Sequence, residues 1–371
     1  MGMTLFRLGF RPFFLLGTAY GIVAMALWIG PYFPHALDWH AHEMIFGFAG
    51  AIIAGFLLTA VRNWTGLPTL EGTPLAGLVG LWLLARMASL GGTVPRLAAG
   101  LDLAFLVLLL GAILRPIRRV RQWRQWGVLT GVAFLAAGQA VYLAALLRLW
   151  PDGTRLGIRI GLYAVLALVL ILAGRVIPFF TERGVDGPVV LRRFSWTERW
   201  ALPLFCLYAA LEVLTPGGTI TRGLALAAAF VHAVRLWGWH TPGIWRRPLL
   251  WVLHIAYGWL VVGFLIAAFD PRTALHALTV GGMSGMILGM ICRVSLGHTG
   301  RNVHQPPPIV SALFVLLFAS TVVRVSITWL DPAAFVFALR LAGILWIAAF
   351  AGFLWRYAPM LWRPRIDGKP G

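Results

Sequence analysis

The sequence predicts an all-α membrane protein: a polytopic transmembrane helical bundle of about twelve spans, in one membrane domain covering residues 1–371. Three observations carry this expectation. Apolar runs long enough to cross a bilayer fill almost the whole chain, and a helix needs about 20 such residues to do so. With 60% hydrophobic and only 12% charged residues, and a mean hydropathy of +0.83, there is too little polar surface for a soluble protein of this size. The arginines gather in the short segments between apolar runs, where membrane topology is set.

Taken in order, the spans fall at 12–30, 39–60, 74–91, 97–114, 126–148, 158–178, 199–214, 221–238, 248–268, 273–292, 308–329 and 333–357. The breaks between them carry turn residues: Gly30-Pro31 with Pro34, Gly91-Gly92, Pro151-Asp152-Gly153, Pro216-Gly217-Gly218, Asp270-Pro271, Pro306 to Pro308 and Asp331-Pro332. Asp38 is placed to cap the second helix. Several tryptophans, among them Trp64, Trp123, Trp126, Trp150, Trp196, Trp237 and Trp251, fall at span ends, where aromatic belts form.

The basic residues alternate unevenly. One side receives Arg7, Arg11, Arg62, the 115–124 group, Arg175 to Arg199, Arg235, Arg246, Arg247, Arg293, Arg301 and the basic residues from Arg356 onward. The other receives Arg96, Arg148, Arg155, Arg159, Arg222 and Arg272. This bias predicts that both termini are cytoplasmic. The net charge of +19 is therefore a topology signal rather than a soluble basic face, and a nucleic-acid partner is not expected. Arg7 and Arg11 lead into a full-length apolar run with no small-residue cleavage site, so the first helix is expected to stay as an anchor. Cys206 and Cys292 lie in apolar runs, and the chain has no CxxCH. Any haem would be bound non-covalently, as b-type haem is.

Ionisable side chains in hydrocarbon are costly and mark sites. Asp38-Trp39-His40-Ala41-His42-Glu43-Met44 opens the second helix on the outer side. A helical step of about 100° points His40 and His42 to different faces. Each is either a metal ligand or a solvated interfacial histidine. His40 shares its stripe with Met44, Gly47, Ala51 and Ala54, smooth enough for a flat cofactor or close helix packing. The tenth span opens with His276, and Met283 lies seven residues on, which in an α-helix puts both on one face. Imidazole and thioether suit haem iron or copper, although Gly-rich helices with methionines also serve as packing surfaces.

A deeper pair lies on the inner side. His232 and His254 are each about six residues from the inner ends of consecutive antiparallel spans, roughly 9 Å into the membrane at 1.5 Å per residue. Matched in this way they form a bis-imidazole clamp, unless each hydrogen-bonds a neighbouring helix instead. Arg235 lies one turn from His232 and offers a propionate partner, while Tyr257 lies one turn from His254 and offers a hydrogen-bond donor. Arg86, Arg324 and Arg340 lie within spans. The last two need a counter-charge, a carbonyl or a propionate, with Asp102 one conceivable partner. Arg175 closes the sixth span as a snorkelling residue, and His298 falls on an inner loop as a turn element or a ligand.

These residues resemble a known family. Trp39-His40-Ala41-His42-Glu43-Met44 with Phe46-Gly47-Phe48, Gly55-Phe56-Leu57-Leu58-Thr59-Ala60 and Asn63-Trp64-Thr65-Gly66 is similar to the NnrS family of bacterial membrane proteins. So are Gly174-Arg175 with Ile177-Pro178-Phe179-Phe180-Thr181, His232 with Arg235-Leu236, Leu253-His254 with Tyr257, and His276-Ala277 leading to Arg293-Val294-Ser295-Leu296-Gly297-His298-Thr299-Gly300-Arg301. The resemblance covers nearly the full chain. It implies a twelve-span protein with haem and copper, produced in response to nitric oxide and nitrosative stress, often in denitrifying bacteria. Nitric oxide or NO-derived metal complexes would be its small-molecule partners, and no settled catalytic activity is implied. Two other readings stand beside it: a permease for an anionic or metal-linked solute, and an electron-transfer protein that takes electrons from a quinol or another redox partner.

Overall fold

The computed structural model describes residues 2–30, 36–90, 95–329 and 332–369. Of the expected breaks, Pro31, Pro34, Gly91, Gly92 and Asp331 lie outside the described residues. Among those residues no strand occurs, and twelve long helices follow one another. They are α1 (Phe10–Ile29), α2 (Leu37–Thr65), α3 (Thr73–Leu90), α4 (Pro95–Arg119), α5 (Trp123–Leu146), α6 (Gly153–Gly184), α7 (Ser195–Leu214), α8 (Thr219–Trp239), α9 (Pro248–Ala267), α10 (Pro271–His298), α11 (Ile309–Ser326) and α12 (Phe335–Trp362). All but α7 are long and apolar enough to cross a membrane. The exception has the length, 20 residues, but carries Glu198, Arg199 and Glu212.

Every expected span is a helix, and several outrun their apolar windows. α6 continues to Gly184, so Arg175 is inside it rather than at its end, and α10 continues to His298, which is therefore helical rather than a loop residue. Backbone hydrogen bonding favours carrying a helix past the hydrocarbon edge, and long arginine stems reach back to water from within it. Trp123, Trp126, Trp150, Trp196 and Trp237 are exposed at helix ends, whereas Trp82, Trp239 and Trp346 are buried. Leu84, Met87, Leu108, Phe134, Val315 and Ile344 are exposed within helices, as lipid-facing residues are.

The chain groups into two compact units: residues 1–168 with 297–301 and 354–371, and residues 169–296 with 302–353. In the first unit α1 packs along α2, α3 on α4, and α4 on both α2 and α5. Its most enclosed helix is α2, with 89% of its apolar window buried. In the second unit α7 packs on α8, α8 on α9, α9 on α10 and α10 on α11. There α10 is the enclosed helix, with 78% of its window buried.

Both enclosed helices contain a π-helical segment, Glu43–Ala49 in α2 and Ala277–Ser284 in α10. Such segments wind more widely than an α-helix and recur at functional sites. His42 is the residue before the first, and His276 the residue before the second.

Candidate functional site

In the second unit, α7, α8 and α9 bring four polar side chains into a chain of contacts. His232 on α8 is fully buried, and its Nδ1 is 2.6 Å from the Tyr257 hydroxyl on α9. Arg235, one turn along α8, donates from Nη1 to the same hydroxyl at 3.2 Å. It also grips the Glu198 carboxylate of α7 through Nε at 2.9 Å and Nη2 at 2.5 Å, a two-pronged charge-assisted pair. Its guanidinium lies 4.7 Å from the centre of the Trp239 ring. Gly174 makes room for this guanidinium, since a Cβ there would overlap it.

The far nitrogen of His232, Nε2, is buried and makes no hydrogen bond. The Ala201 backbone lies within interaction range of the ring. The other face of the ring stacks on Phe264 at 5.4 Å. When Nδ1 carries the ring proton, Tyr257 receives it and Nε2 presents its lone pair.

His254 is held otherwise. Its Nδ1 is 3.0 Å from the Leu250 carbonyl and its Nε2 3.3 Å from the Trp239 carbonyl. His232 therefore pairs with Tyr257 while His254 pairs with Trp239, and these partners offset the two rings by roughly one to two helical turns. Equal counts from the helix ends did not reveal this offset. Arg235, expected to meet a propionate, spends its charge on Glu198.

In the first unit a larger network surrounds His42, which is 3% exposed, and Glu43, which is fully buried. His42 Nδ1 is 2.8 Å from Glu43 Oε1, and its Nε2 is 3.0 Å from Gln139 Oε1. The Gln139 amide nitrogen donates to the Ala99 carbonyl at 3.1 Å, which turns its oxygen toward the ring. Glu43 Oε1 also accepts from the Ser89 hydroxyl at 2.6 Å, while Oε2 accepts from Tyr20 and from Arg86. Arg86 reaches on to Asp102, whose second oxygen lies 3.9 Å from His42 Nε2. Both nitrogens of His42 thus face acceptors. The site needs a glycine at position 47, because a Cβ there would meet Arg86 Nη1 at 2.6 Å.

The remaining candidates are dispersed. His40 stacks on Trp28 of α1 at 4.4 Å, away from the His42 network. In the second unit Arg324 donates from Nη2 to His276 Nε2 at 2.9 Å, so Arg324 has an imidazole partner and Asp102 belongs to Arg86. Arg340 is exposed in the first part of α12. Met283 is buried, but the π segment separates it from His276, so the seven-residue spacing no longer closes two α-helical turns. Asp270, in the loop before α10, caps that helix by accepting from Arg272 N at 3.0 Å, Thr273 N at 3.3 Å and the Thr273 hydroxyl at 2.5 Å. The hydroxyl bond above all holds its carboxyl below the usual carboxylate range. Among the described residues, no three His, Cys, Asp or Glu side chains are grouped to hold a metal ion.

Sequence reasoning missed Glu198 and most of the His42 network. Arg86 in an apolar run was a sign that carboxylates must converge there. Gln139 and Tyr20 gave none, since neutral polar residues are common in spans.

An all-helical chain with eleven bilayer-length apolar helices and ionic groups buried among them is a multi-pass membrane protein. Residues 4–365 match the family described as NnrS protein, and the chain belongs to the NnrS family. Comparison with curated proteins finds no match.

Proposed function

We propose that this chain is a haem- and copper-binding protein of the bacterial inner membrane, which acts in the response to nitric oxide and protects against nitrosative stress. Membership of the NnrS family supports the setting. The observation that carries the metal is His232, a buried imidazole oriented through one nitrogen and unpartnered at the other. Such a nitrogen is a suitable donor for haem iron. In this reading His232 Nε2 would hold the iron, Tyr257 would fix the ring and its proton, and the Arg235–Glu198 pair would fix Tyr257. Bound haem would supply an iron centre for redox or ligand chemistry with small molecules. Copper rests on family membership alone, because His276 Nε2 faces Arg324 and the π segment turns Met283 off the face of His276. The uneven arginines support cytoplasmic termini.

The deciding experiment is the optical spectrum of the full-length protein purified from membranes. A Soret band with reduced α and β bands, lost in His232→Ala at normal expression, supports the reading. A protein without those bands that still complements a deletion strain returns the chain to the permease alternative. In cells, deletion is expected to leave aerobic growth near normal and to raise sensitivity to an NO donor. Reporter fusions after Arg124 and Arg193 are expected to read cytoplasmic, and one after Arg155 external.

A further inference from the structure

Away from both histidine sites, the second unit contains a partly open pocket lined by Gly184, Arg247, Leu249, Arg293, His304 and Pro306, among others. Its cations are incompletely paired. Arg293 is half-buried on α10, and its one partner among the described residues is the Phe180 ring, 3.8 Å from the guanidinium carbon. No carboxylate or carbonyl accepts from its five N–H groups, although a guanidinium in such surroundings ordinarily has an anionic partner. Arg247 donates Nη2 to Asp186 at 2.5 Å and Nη1 to the His304 carbonyl at 3.1 Å, which leaves its Nε buried without an acceptor.

The charge count at the pocket leaves one cation over among the described residues, because Asp186 balances Arg247 and no carboxylate pairs with Arg293. Two further features point the same way. The His304 ring is exposed beside the pocket, with its backbone N–H fixed by the Asn302 side chain at 2.9 Å. The 20-residue α9 begins at Pro248 on the pocket wall, so the positive end of its dipole is directed there.

We propose that this pocket binds a phosphate-type oxyanion, either free or carried on the headgroup of an anionic lipid. A planar guanidinium fork on Arg293 takes two oxygens, Arg247 Nε a third, and His304 closes the open side. The pocket is separate from the residues assigned to haem, so this inference stands whether or not haem binds.

The test uses the full-length protein in nanodiscs. In neutral phosphatidylcholine discs, inorganic phosphate is titrated calorimetrically. In discs containing phosphatidylglycerol, native mass spectrometry counts the lipids retained. Binding in the first arm identifies a free oxyanion and retention in the second alone identifies a lipid headgroup. Arg293→Gln is expected to weaken whichever is bound by about tenfold or more, as loss of a bidentate charged pair does, with Arg293→Lys intermediate. His304→Ala changes an exposed ring, leaves the fold intact, and is expected to weaken binding by about threefold. Absence of both phosphate binding and lipid retention in the wild-type protein overturns the proposal. So does binding unchanged in His304→Ala and in a folded Arg293 variant.

Discussion

His42 and His232 are both buried histidines with a tyrosine, an arginine and a glutamate nearby, yet their ring nitrogens are used differently. Around His42, Glu43 receives four donors on two oxygens, Arg86 bridges two carboxylates, and Gln139 closes the second ring nitrogen. Around His232 the charged pair is one step removed: Arg235 and Glu198 satisfy each other, Tyr257 transmits their position, and one ring nitrogen is left over. The first closes around the ring, both of whose nitrogens face acceptors, while Arg86 Nε and Asp102 Oδ2 are left without a hydrogen bond, and its charges depend on one another to offset their desolvation. The second is a support that ends in a donor atom. A buried histidine is informative about metal binding only when the partners of both its nitrogens are known.

The strongest way to break this comparison is to remove the charges. Arg86→Met leaves Glu43 and Asp102 buried without their common cation, and a loss of about 3–5 kcal/mol is expected. Thermal unfolding in detergent should show it as a large drop in midpoint or as failure to accumulate. Arg235→Met should cost less, because the side chain of its partner Glu198 is 35% exposed and water can take over. Equal losses at the two positions would mean that both networks are structural in the same degree.

Next in size is the effect on metal content. His232→Ala is expected to insert normally and lose haem, whereas His254→Ala, whose ring nitrogens both face carbonyls, is expected to keep it. His42→Ala should behave as a stability variant with haem retained. Pyridine haemochrome content per folded protein separates these outcomes. Haem loss in His254→Ala equal to that in His232→Ala would show that the two rings come together on a cofactor. Tyr257→Phe sharpens the same contrast: it removes the hydroxyl that meets both His232 and Arg235, each bond worth about 1 kcal/mol, and should shift the haem spectrum without removing haem.

The legibility of the molecule divides along physical lines. The helices were readable because each needs only its own apolar run, and all twelve expected spans correspond to long helices. Their ends were less so, since hydrogen bonding carries α6 and α10 beyond their hydrocarbon windows. His232 and Tyr257 were both picked out, but the partnership of His232 with Tyr257 rather than with His254 depends on the register between α8 and α9, which a count of residues from helix ends does not give. The π segments left no mark in the apolar pattern, and they are why an α-helical spacing failed to relate His276 to Met283. Glu43 was visible in its motif, but its four donors come from α1, α2 and α3, and nothing local announces such convergence.

The smallest effect concerns the two enclosed helices that hold the π segments. α10 starts from a side-chain cap, Asp270, that lies outside the spans, so its anchoring can be altered without touching a buried charge. Replacing Asp270 with Ala removes the acceptor for two backbone N–H groups and the Thr273 hydroxyl, and a cost of about 1 kcal/mol is expected. The pH dependence has a definite sign. The folded-state carboxyl is held below its usual range by the Thr273 hydroxyl. The cap's contribution is therefore present above the ordinary carboxylate pKa and is lost as pH falls through the lower folded value. The wild-type protein should lose a small part of its thermal stability on acidification through this range, and Asp270→Ala should lose less. In the same variant, the His42 network of the first unit should keep its response to Arg86→Met. If Asp270→Ala instead shows the full acid dependence of the wild type, other groups set that dependence, and the cap contributes to helix entry alone.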